Sequence, residues 1–411
     1  MHTHRNGVSA VSFGAPAWEV SKQNKVIDIR TDYVTPNIMR RADGHEFVNL
    51  CSCSYLGLHS HPEILEGAIT AILNTGALDL PISRIRLRLN LLEEFEDRLT
   101  ALFGARCLSA VTSSAATAGV LPLIASGHMS PDGTPPVMLF DRHAHFSMDY
   151  IRPICADETE VIACRHNDLE QIEDACRKHK SVAYVCDGVY SMGGVAPIAE
   201  LLSLQDRYGL FLFIDDSHSL SLHGAHGEGY ARSIMREVNE RTIIVASLGK
   251  AFGGSGGVIM LGPTEHEDIL TRFGGPLAWS QGLNVPGIGA GIASSKLHDS
   301  PELSRRQAQL RRNMALFDSL IATEQADNGF PLKVIAIGDE DRAVAASARL
   351  FEAGYYSSAV FFPIVKRGAA GLRIMLRADN TEADIRGFAQ ALTEILQRDL
   401  APAPARVKAD A

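Results

Sequence analysis

Short apolar runs alternate with helical segments between about residues 105 and 260, and this alternation constrains the fold more than any other feature of the chain. The runs at 137–140, 182–185 and 210–214 are bounded by polar residues, which is typical of strands buried on both faces of a parallel sheet. Strands that alternate with helices favour crossover connections covering both faces of such a sheet. We therefore predict an α/β fold built on a mostly parallel sheet.

Polar side chains follow two of these strands at the point where each strand ends. Asp215, Asp216 and His218 follow the run at 210–214, and Lys250 follows the run at 243–245. Ligands of open α/β sheets bind at the carboxyl ends of the strands, so we expect these side chains in one shared site. A buried carboxylate there needs a cationic partner, and a protonated pyridine nitrogen would be one.

Lys250 stands between a hydrophobic strand and a glycine-rich stretch that ends at Gly257. Partial burial lowers the pKa of a lysine, and a neutral amine can form a Schiff base with a carbonyl compound. The glycines would let the backbone pass close to a bulky ligand. The alternative is a lysine that extends its ammonium group into solvent ahead of a flexible loop.

Composition and charge exclude several functions. The 411 residues suffice for one large domain and a smaller one, and 46% of them are hydrophobic, as in an ordinary globular protein. A net charge of −9 offers no basic surface for nucleic acid or for an anionic membrane.

His143 and His145 lie two apart without a third candidate ligand, so we expect no metal.

The cysteines and the N-terminal segment bear on the compartment. Seven scattered cysteines include no C-x-x-C pair, which is typical of reduced thiols in a cytoplasmic protein. The first thirty residues lack the regions of a signal peptide and show no periodicity, so we expect a loose arm there. No apolar run reaches the roughly 20 residues that cross a bilayer, and we therefore expect no membrane span.

Four motifs carry a resemblance to a known family. They are YLGL at 55–58, VCDGVYSMGG at 185–194, DDSH at 215–218 and SLGKAFGGSGG at 247–257. In this order and spacing the chain resembles, over about residues 45 to 395, the α-oxoamine synthase family of fold-type-I pyridoxal phosphate (PLP) enzymes. The resemblance implies a large domain with a seven-stranded, mostly parallel sheet, a smaller α+β C-terminal domain, and a homodimer with its active site at the subunit interface.

The resemblance also implies domain bounds. It places an N-terminal arm and small-domain segment at 1–60, the large PLP-binding domain at 61–295, and the small domain at 296–400. The tail at 401–411 is rich in alanine and proline, and we expect it to be disordered.

The resemblance assigns roles in holding the cofactor. Lys250 would form the Schiff base with PLP, Asp215 would keep the ring nitrogen protonated, His218 would bond the phenolic oxygen and His145 would stack on the ring. The remaining residues that the resemblance places around PLP are Thr112, Ser113 and Ser114 at a helix start beside the phosphate, Asp187 and Ser247 in the pocket, and Ser280, which would reach the phosphate of the neighbouring subunit. Hydroxyl residues at a helix start are also ordinary N-caps.

Three positions concern the substrates. Arg373 matches the family's arginine that binds the amino-acid carboxylate, although a strand-edge arginine in a surface ion pair is common. Cys53 stands where the family has an asparagine, and a thiol cannot replace an amide donor. Arg84 lies in a segment, 81–84, that departs from the family's glycine-rich sequence. Together with Arg86 and Arg88 it has two interpretations, a contact with an anionic acyl carrier or a solvated basic face.

The family resemblance implies a decarboxylating condensation of an amino acid with an acyl-thioester, either an acyl-CoA or an acyl carrier protein, to give an α-aminoketone. The departures at Cys53 and at 81–82 leave open a second reaction on the same fold, an aminotransferase or aldolase-type enzyme. A third hypothesis is a catalytically silent partner subunit. Such subunits lose the lysine, whereas Lys250 is present here.

Overall fold

The structure, a computed structural model, describes residues 6–362 and 364–400. The chain forms two compact units. Unit 1 is formed mainly by Cys53–Leu310, and unit 2 by Ala10–Ser52 together with the chain from Arg311 onward. These divisions fall at 52/53 and 310/311, whereas the sequence-based bounds lie at 60/61 and 295/296. The tail at 401–411 lies outside the described residues.

Fourteen strands are described, and seven of them, β4 to β10, form the large sheet of unit 1. In chain order the strands are β1 Thr31–Tyr33, β2 Ile38–Arg41, β3 Glu46–Asn49, β4 Arg106–Ala110, β5 Val137–Asp141, β6 Val161–Cys164, β7 Val182–Asp187, β8 Phe211–Asp215, β9 Thr242–Ser247, β10 Gly257–Leu261, β11 Leu332–Gly338, β12 Tyr355–Tyr356, β13 Ser358–Val360 and β14 Ala370–Met375.

Thirteen α-helices are described, and a single 3-10 turn, Leu58–Ser60, precedes the second. In chain order the helices are α1 Asn6–Gln23, α2 Pro62–Thr75, α3 Asn90–Phe103, α4 Ser113–Ala125, α5 Phe146–Glu158, α6 Leu169–Lys178, α7 Ile198–Tyr208, α8 Tyr230–Ile234, α9 Thr264–Phe273, α10 Val285–His298, α11 Pro301–Leu320, α12 Glu340–Glu352 and α13 Glu382–Leu400.

The large sheet has the strand order β4-β10-β9-β8-β7-β5-β6, and only β10 in it runs antiparallel to its neighbours. All residues of β7, β8 and β10 are buried. Alternate residues point to opposite faces, so each central strand feeds two apolar clusters; Tyr184 belongs to one and Val185 to the other. This explains why the strands are continuous apolar runs, and it confirms the predicted α/β fold class.

Several strands of this sheet end in a polar residue at its carboxyl edge. β5 ends at Asp141, β7 at Asp187, β8 at Asp215 and β9 at Ser247. The parallel register makes Asp187 and Asp215 direct Cα partners on neighbouring strands. The topology therefore brings together carboxyl groups that lie far apart along the chain.

Unit 2 contains two smaller sheets, with strand orders β1-β2-β3-β12 and β11-β14-β13. The loose arm expected over residues 1–30 is a helix from Asn6 to Gln23, so that expectation was wrong for these residues; residues 1–5 lie outside the described part. Trp18 packs edge-on against Phe361, with ring centroids 5.6 Å apart. The helix interior holds Pro16 and shows little periodicity, which is why the pattern did not predict it.

Among the described helices none is long and apolar enough to cross a membrane.

Candidate active site

The side chains of Lys250 and His218 meet at the carboxyl edge of the large sheet. Lys250 follows β9 and is half-buried, and its Nζ lies 3.0 Å from Nε2 of His218. His218 follows β8 and is only 5% exposed. Two residues that the sequence assigned to one site are thus in direct contact.

Tyr55 completes this contact from a distant part of the chain. Its hydroxyl lies 2.7 Å from Nδ1 of His218, and the tyrosine is fully buried. The sequence motif at 55–58 was recognised, but no role was predicted for Tyr55. The motif itself was the available signal, because no local pattern relates a residue to a histidine 163 positions away.

Asp187 and Asp215 form a carboxyl pair beside Lys250. Burial, and then the negative charge of Asp215, raise the pKa of the Asp187 carboxyl well above its usual range, whereas the positive charge of Lys250 acts in the opposite direction. The three side chains therefore share one electrostatic environment. A group with positive charge would relieve the repulsion between two buried carboxyl groups.

His145 is held at the same edge through its backbone. Its N–H donates to Oδ2 of Asp187 at 2.8 Å, and its residue caps the N-terminus of α5. Nδ1 of the imidazole lies 2.9 Å from Oγ of Ser147, and the side chain is exposed. Asp187 thus fixes the loop that presents the His145 ring.

Thr112, Ser113 and Ser114 form the start of α4. Oγ1 of Thr112 accepts a hydrogen bond from the backbone N–H of Ala115 at 3.0 Å, so Thr112 is the N-cap. Thr112 and Ser114 are exposed. A Cβ at Gly257 would lie 2.5 Å from the backbone nitrogen of Ser113, so only glycine lets β10 pass this close to the helix start. Hydroxyls and free N–H groups at a helix N-terminus can bind a phosphate.

Ser247 and Ser280 lie at two other places in unit 1. Oγ of Ser247 accepts a hydrogen bond from Gly249 N–H at 3.3 Å, and its own N–H donates to Oγ of Ser217 at 2.8 Å. These bonds tie the ends of β8 and β9 together just before the lysine. Ser280 is half-buried, and its carbonyl accepts a hydrogen bond from the Arg84 N–H at 3.3 Å.

The guanidinium of Arg84 is enclosed within unit 1. It is 5% exposed and forms two hydrogen bonds with Glu96, at 2.7 and 2.6 Å, and a third with the Ser109 carbonyl at 3.0 Å. Binding a substrate would require this ion pair to break. The placement therefore argues against the predicted substrate-binding role and favours a structural one.

Two further candidates were predicted to meet the amino-acid substrate. Cys53 is half-buried at the start of the main segment of unit 1. Arg373 lies on β14 in unit 2 and is also half-buried, and its buried Nε has no hydrogen-bond partner among the described residues.

Comparisons with known proteins bear on the family and the fold of the chain. Residues 45–392 match the family described as aminotransferase class I and II. The chain is 31% identical over 366 residues to 8-amino-7-oxononanoate synthase of Maricaulis maris, covering 86% of this chain and 88% of that one.

Solved structures of similar fold include two enzymes. A variant of serine palmitoyltransferase from S. paucimobilis with bound PLP and myriocin gives a TM-score of 0.82 at 19% identity, covering 96% of this chain and 99% of that one. An 8-amino-7-oxononanoate synthase from Francisella tularensis gives a TM-score of 0.70 at 19% identity, covering 86% of this chain and 98% of that one.

Proposed function

From the premise that the chain belongs to the aminotransferase class I and II family and is an α-oxoamine synthase-like enzyme, we propose that it condenses an amino acid with an acyl-thioester, with loss of CO2, to give an α-aminoketone. The cofactor is pyridoxal phosphate. The observation that carries the proposal is the contact of Lys250 with His218 beside the Asp187–Asp215 pair. PLP chemistry needs a lysine amine and a partner for the pyridinium nitrogen, and here the amine and the candidate carboxyl partners lie at the same edge of the sheet.

The residues at the site fit the cofactor. The excess of buried carboxyl groups at Asp187 and Asp215 suits a protonated ring nitrogen, which Asp215 would hold. The α4 N-terminus, with Thr112, Ser113 and Ser114, suits its phosphate. Lys250 would hold its aldehyde carbon, His218 its phenolic oxygen and His145 its ring face. Ser247 lies beside Lys250 in the chain, and Ser280 would serve the neighbouring subunit's phosphate.

Bound PLP supplies an electron sink for the pair of electrons left on the substrate Cα. The chain's own residues then handle binding and protons. The Lys250 amine, once free, would remove the Cα proton, since it is half-buried and lies beside the His218 imidazole. Arg373 would orient the substrate carboxylate through its half-buried guanidinium, and Cys53 would line the amino-acid side of the pocket.

We further propose a homodimer. Two helices of unit 1 each carry an exposed apolar stripe with the spacing i, i+4, i+8. The stripes are Leu65, Ile69 and Leu73 on α2, which are 50%, 57% and 76% exposed, and Phe146, Tyr150 and Ile154 on α5, which are 56%, 61% and 50% exposed. Contiguous apolar surface of this kind marks an interaction site, and a second copy of the chain would cover it. The cytoplasmic location stays a prediction.

The test is a panel assay on the PLP-loaded protein. Amino acids of different side chain would be combined with acyl-CoAs and acyl carrier proteins of different chain length, and released thiol and CO2 would be measured together. We expect both products in equal amounts for at least one pair, and none with Lys250→Ala. Amino transfer to a keto acid without any thioester would instead support an aminotransferase. A protein that binds no PLP at Lys250 would support a silent subunit.

A further inference from the structure

A line of three buried or half-buried side chains leads from the lysine into the protein. Lys250 Nζ lies 3.0 Å from His218 Nε2, and His218 Nδ1 lies 2.7 Å from the Tyr55 hydroxyl. Tyr55 is 0% exposed and His218 is 5% exposed. Each ring nitrogen of His218 therefore faces one titratable partner, the amine on one side and the phenol on the other.

We propose that Tyr55 is a positioning residue that acts through His218 on the proton held by Lys250. This inference rests on the proposed function, in which the Lys250 amine is the base. The lysine would thereby depend on a tyrosine through the histidine that lies between them.

A neutral imidazole has two tautomers, with its proton either on Nδ1 or on Nε2. The hydrogen bond at one ring nitrogen determines which nitrogen carries the proton. A hydroxyl can donate or accept, so Tyr55 can satisfy Nδ1 whether that atom carries a hydrogen or not. When Nδ1 carries the proton and donates to Tyr55, the lone pair of Nε2 is free to accept from the Lys250 ammonium. When Nε2 carries the proton, it donates to the neutral Lys250 amine.

Tyr55 therefore supports both protonation states of Lys250. In the cofactor-free protein, where Nε2 of His218 faces the amine, the imidazole can therefore accommodate both states of the lysine. Of the titratable groups around Lys250, His218 contacts it directly, Asp187 acts on it by charge, and Asp215 is the strand partner of Asp187. The imidazole is the one of these groups whose hydrogen-bond distance to the Lys250 amine is given by the structure.

The turn that carries Tyr55 is fixed to the loop that carries Lys250. A Cβ at Gly253 would lie 2.4 Å from Cβ of Leu58, so the two backbone segments pack directly against each other, and Gly253 has a φ of +79° that favours glycine. Nη1 of Arg306 donates to the Leu56 carbonyl at 2.7 Å. The position of the turn that carries Tyr55, relative to the loop that carries Lys250, is thus set by packing.

The experiment measures the Lys250 amine in the cofactor-free protein, so its outcome does not depend on any turnover. Trace labelling of lysines with acetic anhydride over a pH series, read by mass spectrometry, gives the midpoint of Lys250 deprotonation. In Tyr55→Phe, Nδ1 of His218 loses the hydroxyl that could accept its hydrogen, so the tautomer with the proton on Nε2 is favoured. This tautomer points its N–H at Lys250 and so disfavours the ammonium form. We expect the midpoint to fall by about one pH unit, a tenfold change in the ratio of ammonium to amine.

The matched control is Tyr184→Phe. Tyr184 is also fully buried in unit 1, and its hydroxyl donates to Oδ2 of Asp141 at 2.6 Å rather than to a residue of the site. This variant should leave the Lys250 midpoint unchanged. An unchanged or raised midpoint in Tyr55→Phe, or an equal shift in Tyr184→Phe, would overturn the proposal.

A second measurement needs no variant and so does not depend on how Tyr55→Phe folds. In the wild-type cofactor-free protein, the 15N imidazole shifts of His218 should change from the Nε2–H to the Nδ1–H tautomer as Lys250 becomes an ammonium ion. A His218 ring that keeps one tautomer through the whole Lys250 titration would contradict the proposal. The protein could instead lack condensation activity while the His218 shifts and the labelling midpoint behave as expected. That result would count against the proposed function alone.

Discussion

Arg84 and Glu96 form a two-pronged ion pair inside unit 1. Nη1 and Nη2 of the arginine lie 2.7 and 2.6 Å from the two carboxylate oxygens, and the side chains are 3% and 2% exposed. Oε1 of Glu96 also accepts hydrogen bonds from the N–H and the hydroxyl of Ser109 at 2.7 and 2.8 Å. The pair joins α3, β4 and the segment before α3, so it stabilises the edge of the sheet rather than a ligand.

Removing one member of this pair should destabilise the protein strongly. Arg84→Met leaves the Glu96 carboxylate buried without its partner, and we expect a loss of about 3–5 kcal/mol in the free energy of unfolding. Urea unfolding followed by circular dichroism measures it. Arg88→Met, at an exposed position of the same segment, is the control and should change the value by less than about 0.5 kcal/mol. The double variant Arg84→Met/Glu96→Leu should lose less stability than the sum of the two single variants, since each single variant already breaks the pair; strictly additive losses would contradict a structural ion pair.

Asp216 predicts a pH-dependent stability difference. Burial raises the pKa of its carboxyl to about 6, against an ordinary value of 3.8, and Oδ2 accepts the Ala231 N–H at 2.9 Å. Because the folded-state pKa is raised, the folded protein binds the proton more tightly, and stability is lost as pH rises from about 4 to about 6. Asp216→Asn removes this loss. Its free energy of unfolding relative to wild type should rise by up to about 3 kcal/mol between pH 4 and pH 7.

The control for that series is Asp206→Asn, at an exposed position of α7. Its stability difference from wild type should be constant over the same pH range. A constant difference for Asp216→Asn as well would show that Asp216 does not hold an extra proton in the folded state.

Arg373→Lys should weaken binding of the amino acid. A lysine keeps the charge but loses the planar pair of donors that holds a carboxylate in one orientation. We expect the KM for the amino acid to rise by about tenfold or more, with the KM for the thioester nearly unchanged. Arg386→Lys, an exposed exchange on α13, serves as the control. A rise in the thioester KM alone would place Arg373 with the acyl carrier instead.

The α2 stripe should be needed for the homodimer. Ile69→Lys puts a charge in the middle of the stripe formed by Leu65, Ile69 and Leu73, and burying that charge without a partner is costly. Sedimentation equilibrium should show a wild-type dimer and a largely monomeric variant. Leu320→Lys, an exposed apolar position on α11, should leave the dimer intact. A wild-type protein that sediments as a monomer at micromolar concentration would contradict the proposed dimer.

The sequence predicted the sheet and its carboxyl edge well, since strands buried on both faces have to be apolar and their ends have to be polar. Asp215, His218 and Lys250 were found this way. Tyr55 was missed because its partner is 163 positions away, and pattern reasoning sees only neighbours. Arg84 was misjudged for a related reason. The alternating arginines Arg84, Arg86 and Arg88 predict one exposed face. Of these three, Arg84 is instead buried, because it pairs with Glu96, twelve positions further along the chain.

Helix α1 and His143 show two other limits. A helix interrupted by Pro16 and without a clear apolar face leaves no periodic signal. His143 was assigned no function, and its ring stacks on His166 with centroids 4.1 Å apart. Stacking of this kind depends on the three-dimensional path of two loops, which the residue types alone do not encode.

Strand β10 has a bearing on how the protein is made. It is the sole hydrogen-bonded link between β4 and the rest of the large sheet, and it lies about 150 residues after β4 in the chain. During synthesis β4 therefore leaves the ribosome long before the strand that pairs with it, and the large sheet cannot be completed until Leu261 has emerged. A nascent chain stalled ahead of that point should keep β4 exposed to chaperones and proteases.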